Sequence, residues 1–320
     1  MPMVESGIVL PDLSAASELP LVSVVVPTYR RELLLCNTLQ SLLGQTYPRV
    51  EIIVVDQTEE HDESTQHFLN RNRDRLRLIR SAPPAVTRAR SVGAIAAQGD
   101  IVLYVDDDVI CSRELVAAHV RAHQVAGVGV VAGRVTDVND PEVVDDAQVG
   151  RLDPSSAGVT RFFGSRVRQF VHHAYGPNMS FKRALLLRAG LAEPAFDGTA
   201  RYEETDTSIR VARLGYQVLF EPAAHVHHFG GPGGQSFGAG FERAYRSIVH
   251  NALLFTWRNL RRRYWLPVLL YRFRNAFYHA RRDRTWLPLR ILFEEAPRSV
   301  VSYFRSTGSL PKGAPRWPLR

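Results

Sequence analysis

The stretch Gly-Asp-Ile-Val-Leu-Tyr-Val-Asp-Asp-Asp-Val, residues 99–109, carries the features that decide the fold. Residues 101–105 are apolar without alternation, which is typical of an interior parallel strand buried on both faces. Three carboxylates follow at once, so the strand ends at Asp106. Because sheets of this kind bind ligands at the carboxyl ends of their strands, the stretch predicts both a buried strand and a ligand site.

The segments before this stretch alternate between strand and helix patterns. Apolar runs at residues 21–26, 51–55 and 76–79 predict strands. Between them, helical spacing of apolar residues or a polar helix-forming composition predicts helices over residues 32–43, 62–75 and 87–97. Alternating strands and helices indicate an α/β fold whose central sheet is mainly parallel and flanked by helices.

The three consecutive carboxylates predict a metal site. Adjacent buried carboxylates repel one another and destabilise the fold unless a positive charge is present. Mg²⁺ or Mn²⁺ takes one or two carboxylates and completes its shell with phosphate oxygens. Since side chains alternate along a strand, Asp106 and Asp108 point to one side while Asp107 turns away. A turn capping the next helix is the alternative for this triplet.

Three segments in order resemble the nucleotide-binding half of the family 2 glycosyltransferases. They are Val-Ser-Val-Val-Val-Pro-Thr-Tyr-Arg at 22–30, Ile-Ile-Val-Val-Asp-Gln at 52–57, and the stretch at 99–109. The resemblance covers residues 21–229 and is strongest toward bacterial rhamnosyl- and glucosyltransferases that build polysaccharides. It implies the GT-A fold, an inverting reaction, and a UDP-, dTDP- or GDP-linked sugar as donor.

The resemblance also implies which residues contact the nucleotide sugar. The loop Pro27, Thr28, Tyr29 and Arg30 would border the nucleotide. The resemblance also implies that Asp56 contacts the base and that Arg90 contacts the donor. Asp106 and Asp107 would contact the bound diphosphate, and Asn178 would lie in a loop near the donor sugar. Asp56 could equally be a residue at the end of a strand that caps a turn. Ser91 stands where the family usually has Asn.

An acidic cluster at residues 201–216 resembles the family motif Glu-Asp-x-Asp/Glu-Leu-x-x-Arg. The resemblance places Glu204 at the position of the catalytic base in this motif, with Glu203 and Asp206 at the flanking positions. A positioned carboxylate can accept the proton that an acceptor hydroxyl loses as it attacks. Glu204 replaces the usual Asp and Thr207 the usual Leu, so the sequence leaves open which of Glu203 and Glu204 is the base. The alternative interpretation of this cluster is structural: acidic residues at a helix N-terminus interact favourably with the helix dipole.

The segment Glu-Pro-Ala-Ala-His-Val-His-His, residues 221–228, resembles the part of the family in which a histidine contacts the metal. Imidazole is a plausible extra ligand for Mn²⁺. Both His227 and His228 fit the spacing. The glycine-rich residues 230–240 that follow are predicted to form a hinge, a flexible loop or a lid.

The basic residues concentrate after residue 240, where 17 Lys and Arg face 4 Asp and Glu. The chain therefore divides into a tail at 1–20, a catalytic domain at 21–240, and a basic, aromatic-rich helical extension at 241–320. Helices that combine arginines with aromatic residues suit an anionic membrane surface. A lipid-linked or saccharide acceptor fits this, and the extension could also pair two chains.

Composition limits the remaining choices. No uncharged apolar stretch reaches the ~20 residues that a membrane span needs, and the two distant cysteines suit a reducing compartment. We therefore expect a cytoplasmic enzyme that is peripheral on the inner face of the membrane. Nucleic-acid binding through the basic extension and a catalytically inactive scaffold are the alternatives. A nucleotidyltransferase is disfavoured because the loop after the first strand lacks glycine, and no nucleic acid partner is expected.

Overall fold

The structure is a computed structural model that describes residues 19–137, 148–196, 198–230 and 240–306. Within these residues, a large sheet carries helices on its faces, as the sequence predicts. The tail before residue 19 and the glycine-rich residues 231–239, for which a lid is expected, lie outside the described residues.

The first half of the chain forms strictly alternating strands and helices. In chain order they are β1 (Val22–Thr28), α1 (Leu33–Leu43), β2 (Val50–Asp56), α2 (Glu63–Arg71), β3 (Leu76–Arg80), α3 (Val86–Ala96) and β4 (Ile101–Val105). The strands lie side by side in the order β3-β2-β1-β4, and all three pairings are parallel. Consequently the ends of β1, β2 and β4 meet at one edge of the sheet.

The second half extends this sheet with mostly antiparallel pairings. Its elements are β5 (Val109–Cys111), α4 (Leu115–His123), β6 (Val128–Asp137), β7 (Leu152–Asp153), β8 (Gly158–Val159), β9 (Gln169–Val171), β10 (Asn178–Lys182), α5 (Arg183–Ala189), α6 (Glu203–Ala212) and β11 (Gln217–His228). β10 pairs antiparallel with β4 and β6, and β11 runs parallel to β6 and antiparallel to β5 and β9. β7 and β8 form a separate two-stranded sheet. The sheet is therefore mixed beyond β4.

The basic extension is helical, as predicted. It consists of α7 (Phe241–Asn259), a short 3-10 helix (Arg262–Tyr264), α8 (Trp265–Arg282) and α9 (Leu287–Arg305). No helix in the described part of the chain is both long and apolar enough to cross a membrane.

The described residues form two large apolar cores and one small cluster around Val128 and Leu219. The larger core surrounds the central sheet and contains the buried valines of β1, β2 and β4. The second core joins α7, α8 and α9 to residues of the catalytic half, among them Leu152, Phe196 and Tyr202. Since this core takes residues from both sides of residue 240, the extension is packed on the half of the chain that contains the acidic cluster.

Candidate functional site

A polar pocket of about 640 Å³ opens where the carboxyl ends of the parallel strands meet. Its wall includes Thr28 after β1, Gln57 after β2 and the three aspartates after β4. The N-terminal part of α6 and the loop before it form a second wall of the pocket. His228 at the end of β11 lies on a third wall. Strand order alone thus brings together segments that are up to 200 residues apart in sequence.

Asp106, Asp108 and His228 form the one group of three metal-ligating side chains found among the described residues. Their ligand atoms all lie within 4.8 Å of one another. His228 Nε2 lies 3.3 Å from Asp108 Oδ1, and its Nδ1 lies 3.6 Å from Asp137 Oδ2. Two carboxylates and an imidazole at this spacing are a donor set that fits Mn²⁺ or Mg²⁺.

The electrostatics of this cluster reflect the same contacts. The hydrogen bond with Asp108 raises the pKa of His228 to about 9, against the opposing effect of burial. Burial would raise the pKa of Asp108, but His228 and Arg31 outweigh it and lower that pKa. Burial raises the pKa of Asp107 to about 7. The cluster therefore needs positive charge, which His228 and neighbouring arginines supply in this structure.

His228 and its neighbour His227 lie on opposite sides of β11. His227 Nδ1 hydrogen bonds with Thr136 Oγ1 at 2.8 Å, and His225 Nε2 contacts the same hydroxyl at 2.9 Å. Because side chains alternate along a strand, only one of two consecutive histidines can face the aspartates. The structure brings His228 to the cluster and places His227 away from it.

Arg31 is a residue of the site that the sequence analysis missed. Its Nη2 donates to Asp108 Oδ2 at 2.8 Å, and its Nε lies 3.4 Å from Asp107 Oδ1. Arg30, which was predicted to border the nucleotide, instead places its guanidinium 5.1 Å from the centre of the Tyr29 ring and does not line the pocket. Two consecutive basic residues after β1 were the available signal, but only the structure shows which one faces the aspartates.

The carboxylates at the start of α6 lie in different environments. Glu203 is only 2% exposed and forms an ion pair with Arg90, whose Nη2 also lies 3.4 Å from Asp106 Oδ1. Glu204 is partly exposed and lines the pocket. Burial raises the pKa of Glu203, although Arg90 opposes this effect. Of the described residues that line the pocket, Glu204 is the only carboxylate outside the aspartate triplet.

Asp206 is buried and makes ion pairs. Its Oδ2 accepts from Arg210 Nε at 2.8 Å, while its Oδ1 accepts from Arg258 Nε at 3.1 Å and from Asn259 Nδ2 at 2.7 Å. Arg258 also pairs with Glu193 at 3.1 Å. These contacts together lower the pKa of Asp206 despite its burial. Asp206 thereby connects α6 to the end of α7 and is not among the residues that line the pocket.

A model of the family described as glycosyl transferase family 2 matches residues 23–188, just over half of the chain. The chain belongs to glycosyltransferase family 2. The matched residues include the loop after β1, Arg90 and the aspartate triplet. The family match ends within α5, so it does not extend to α6, β11 or the basic extension.

Curated relatives agree with this assignment. The probable glycosyltransferase YdaM of Bacillus subtilis is 26% identical in an alignment of 227 residues that covers 65% of this chain and 50% of the relative. A glucosyl-dolichyl phosphate glucuronosyltransferase of Haloferax volcanii is 28% identical in an alignment of 220 residues that covers 65% of this chain and 68% of that one. The chain thus spans only half the length of YdaM.

Two solved structures confirm the GT-A fold. The mannosyltransferase PcManGT from Pyrobaculum calidifontis, solved with GDP-Man and Mn²⁺, has a TM-score of 0.54 at 21% identity and is matched over 93% of this chain and 79% of its own. GalNAc-T7, solved with UDP, GalNAc and Mn²⁺, has a TM-score of 0.64 at 16% identity, over 90% and 59% respectively. At these identities the likeness concerns the fold.

Asp56, which was predicted to contact the base of the nucleotide, is buried. Asp56 Oδ1 accepts from the Thr58 amide at 2.9 Å, and its Oδ2 lies 3.0 Å from His61 Nε2 and 2.8 Å from Arg80 Nη1. Gln57, the next residue, lines the pocket instead. The predicted contact of Asp56 with the base stays a prediction, and it would require a change in these internal bonds.

Asn178 is fully buried within the sheet. Its side-chain amide donates to Arg134 O at 3.0 Å and to Ala224 O at 2.9 Å, and its Oδ1 lies 2.8 Å from His119 Nε2. Gly133 packs against this side chain so closely that a Cβ would lie 2.1 Å from Asn178 Nδ2. In this structure Asn178 connects β6, β10 and β11, while the neighbouring Gly176 and Pro177 line the pocket.

Proposed function

We propose that this glycosyltransferase moves a sugar from a nucleoside-diphosphate sugar to an acceptor hydroxyl in one inverting displacement. The observation that carries the proposal is the position of Glu204, which lines the same pocket as the Asp106–Asp108–His228 cluster. A base on one side of the sugar and a diphosphate-binding site on the other are the arrangement that a single displacement needs. One displacement inverts the anomeric centre.

We propose Glu204 rather than Glu203 as the base. Glu204 lines the pocket and is partly exposed, whereas the carboxylate of Glu203 is buried against Arg90. A base must lie within hydrogen-bond distance of the hydroxyl from which it takes the proton. Glu203 instead holds Arg90, which in turn contacts Asp106 and lines the pocket. Glu203 is thus a positioning residue in this proposal.

Asp106, Asp108 and His228 would hold a divalent cation, and both solved neighbours contain Mn²⁺. When bound, such a cation neutralises negative charge on the leaving diphosphate. The neighbours were solved with GDP-Man and with UDP, so the donor proposed for this chain remains a UDP-, dTDP- or GDP-linked sugar. Arg31 and Arg90 would orient the aspartates before the donor arrives.

A nucleotide screen tests the proposal. We expect calorimetry with UDP, GDP, dTDP and CDP to show that one nucleotide binds only when Mn²⁺ or Mg²⁺ is present. Because Asp108 supplies one of three ligands, Asp108→Ala should weaken the metal-dependent binding by at least about tenfold. Asp74→Ala is the matched control, since the Asp74 side chain is 92% exposed and does not line the pocket. The absence of nucleotide binding under every metal condition would contradict the proposal.

The outer face of the basic extension supports a further part of the proposal, contact with an anionic membrane. Leu266, Leu270, Phe273 and Phe277 are 64%, 60%, 46% and 42% exposed and follow one another at i, i+4, i+7 and i+11 on α8. This spacing forms a single stripe along a helix. On α9, Phe293, Val300 and Phe304 stand at i, i+7 and i+11 and are also exposed.

Charge favours an anionic lipid surface as the partner of these stripes. Residues 261–306 contain eleven arginines and three acidic residues, and each acidic residue pairs with an arginine. Each arginine near such a surface contributes about 1 kcal/mol of attraction. A membrane-bound position would suit a lipid-linked glycan as acceptor, while a free saccharide would not require it.

Sedimentation with vesicles tests the membrane contact. We expect this protein to bind phosphatidylglycerol vesicles and to bind phosphatidylcholine vesicles much more weakly. Burial of each phenylalanine contributes roughly 1.5–3 kcal/mol, so Phe273→Ser with Phe277→Ser should weaken binding by more than about tenfold. Leu187→Ser on α5 is the control, because Leu187 is 40% exposed outside the extension. Equal binding to both vesicles, tighter binding to DNA, or a dimer that covers the stripes would contradict this part of the proposal.

A further inference from the structure

Two arginines on the pocket wall lack carboxylate partners among the described residues. Arg161 and Arg201 both line the pocket together with Glu204, yet neither forms an ion pair there. Arg31 and Arg90, the other arginines of the wall, are each paired with aspartates or with Glu203. Arg161 and Arg201 are therefore the positive charges of this pocket that remain available to a ligand.

Arg161 is held by aromatic contacts. Its guanidinium carbon lies 4.7 Å from the centre of the Tyr175 ring, and its Nη1 lies 3.3 Å from the Tyr175 hydroxyl. Tyr175 in turn stacks on Phe163 with ring centres 5.4 Å apart. A guanidinium on an aromatic face keeps its N–H groups directed outward for a bidentate partner. Tyr175 thus orients Arg161 without neutralising its charge, as a carboxylate partner would.

Arg201 is held by its backbone. Ala200 and Tyr202 on either side of it have φ of 48° and 74°, and Phe162 next to Arg161 has φ of 43°. Residues other than glycine rarely adopt this left-handed conformation, and such residues cluster at ligand sites. Half of the six left-handed residues of this kind in the described chain therefore adjoin the two arginines.

The helical extension maintains this conformation. Arg272 on α8 donates to the Tyr202 hydroxyl at 3.0 Å, and that hydroxyl donates to Ala157 O at 2.8 Å. Ser247 on α7 accepts from the Thr199 amide at 3.0 Å. The loop that carries Arg201 is consequently anchored at both ends before any ligand arrives, which reduces the entropy lost on binding.

The two arginines also influence each other. Partial desolvation and the positive charge of Arg161 lower the pKa of Arg201, and Glu204 only partly opposes this effect. Two like charges that face one pocket are unfavourable until an anion lies between them. Phosphate and carboxylate groups are the anions that guanidinium groups bind in a bidentate way.

We propose that Arg161 and Arg201 form a subsite for an anionic group of the acceptor, a phosphate or a sugar carboxylate. This rests on the proposed function, because Glu204 as the base must contact the acceptor hydroxyl. Arg201 precedes Glu204 by three residues at the same wall of the pocket, so a group bound there lies beside the acceptor hydroxyl. The enzyme would thus select charged acceptors over neutral saccharides.

The test uses the full chain saturated with Mg²⁺ and with the nucleotide that the screen selects. Inorganic phosphate and galacturonate are titrated separately, and binding is followed by nuclear magnetic resonance. We expect the wild type to bind at least one of them, and Arg161→Gln and Arg201→Gln each to weaken that binding by at least about tenfold. Which anion binds distinguishes a phosphate-bearing acceptor from a uronate. Nucleotide affinity should change less than about threefold, and Arg188→Gln on the exposed face of α5 should change neither affinity.

Two results would overturn the subsite. One is that the wild type binds neither anion. The other is that the variants weaken nucleotide binding as much as anion binding, which would assign the arginines to the donor diphosphate. If no nucleotide binds to the wild type, the proposed function fails, whereas the anion titration without nucleotide still decides on the subsite. If Arg201→Gln does not fold, Arg161→Gln alone decides.

Discussion

Glu204→Gln is expected to lower kcat by about 10²- to 10⁴-fold, the usual contribution of a general base. The amide retains the shape of the side chain but cannot accept the acceptor proton. Since Glu204 does not belong to the Asp106–Asp108–His228 cluster, metal-dependent nucleotide binding should be unchanged. The rate is measured as release of nucleoside diphosphate from the donor that the nucleotide screen identifies, and binding is measured by calorimetry on the same preparation.

Glu203→Gln is the matched comparison, because it makes the same chemical change one residue earlier. Loss of the Glu203 charge leaves the buried guanidinium of Arg90 with Asp106 as its remaining carboxylate partner. We therefore expect a loss of stability and a weakened donor site, together with a pH profile of kcat that keeps the base-dependent limb. If Glu203→Gln instead abolishes turnover while nucleotide binding and folding remain normal, and Glu204→Gln retains activity, then Glu203 is the base.

Asp206→Asn is expected to lower the free energy of unfolding by about 3–5 kcal/mol, because it leaves buried charges without their partner. Asp206 is 1% exposed and is shared by Arg210 and Arg258. Loss of its charge leaves both guanidinium groups undercompensated at the contact of α6 with α7. Urea unfolding followed by circular dichroism measures the change.

The control for this experiment is Asp283→Asn. Asp283 pairs with Arg282 at 2.6 Å but lies at the surface, where ion pairs contribute little to stability. We expect its unfolding midpoint to match that of the wild type. A midpoint of Asp206→Asn equal to the wild type, with a large loss of kcat, would assign Asp206 a direct role in the reaction rather than a structural one.

The parallel half of the fold was predictable because its signals are local. Apolar runs as short as four or five residues, stopped by polar residues, marked β1, β2, β3 and β4 close to their observed bounds. β5 was missed because it has three residues and is defined by its pairing with the distant β11. β11 extends to His228 because its second part pairs with β6 and β5, which are far from it in sequence.

The sequence by itself determined the family, the GT-A fold, and the placement of an aspartate cluster at the end of a buried strand. The buried strand follows from short-range periodicity, whereas the family and the GT-A fold follow from the resemblance of motifs whose residues are neighbours in the chain. The tertiary structure decided which member of each adjacent pair faces the pocket: His228 rather than His227, Arg31 rather than Arg30, and Glu204 rather than Glu203. A sequence motif cannot distinguish two adjacent residues of the same type. Their side chains point in different directions, however, once strand pairing and helix packing define the pocket wall.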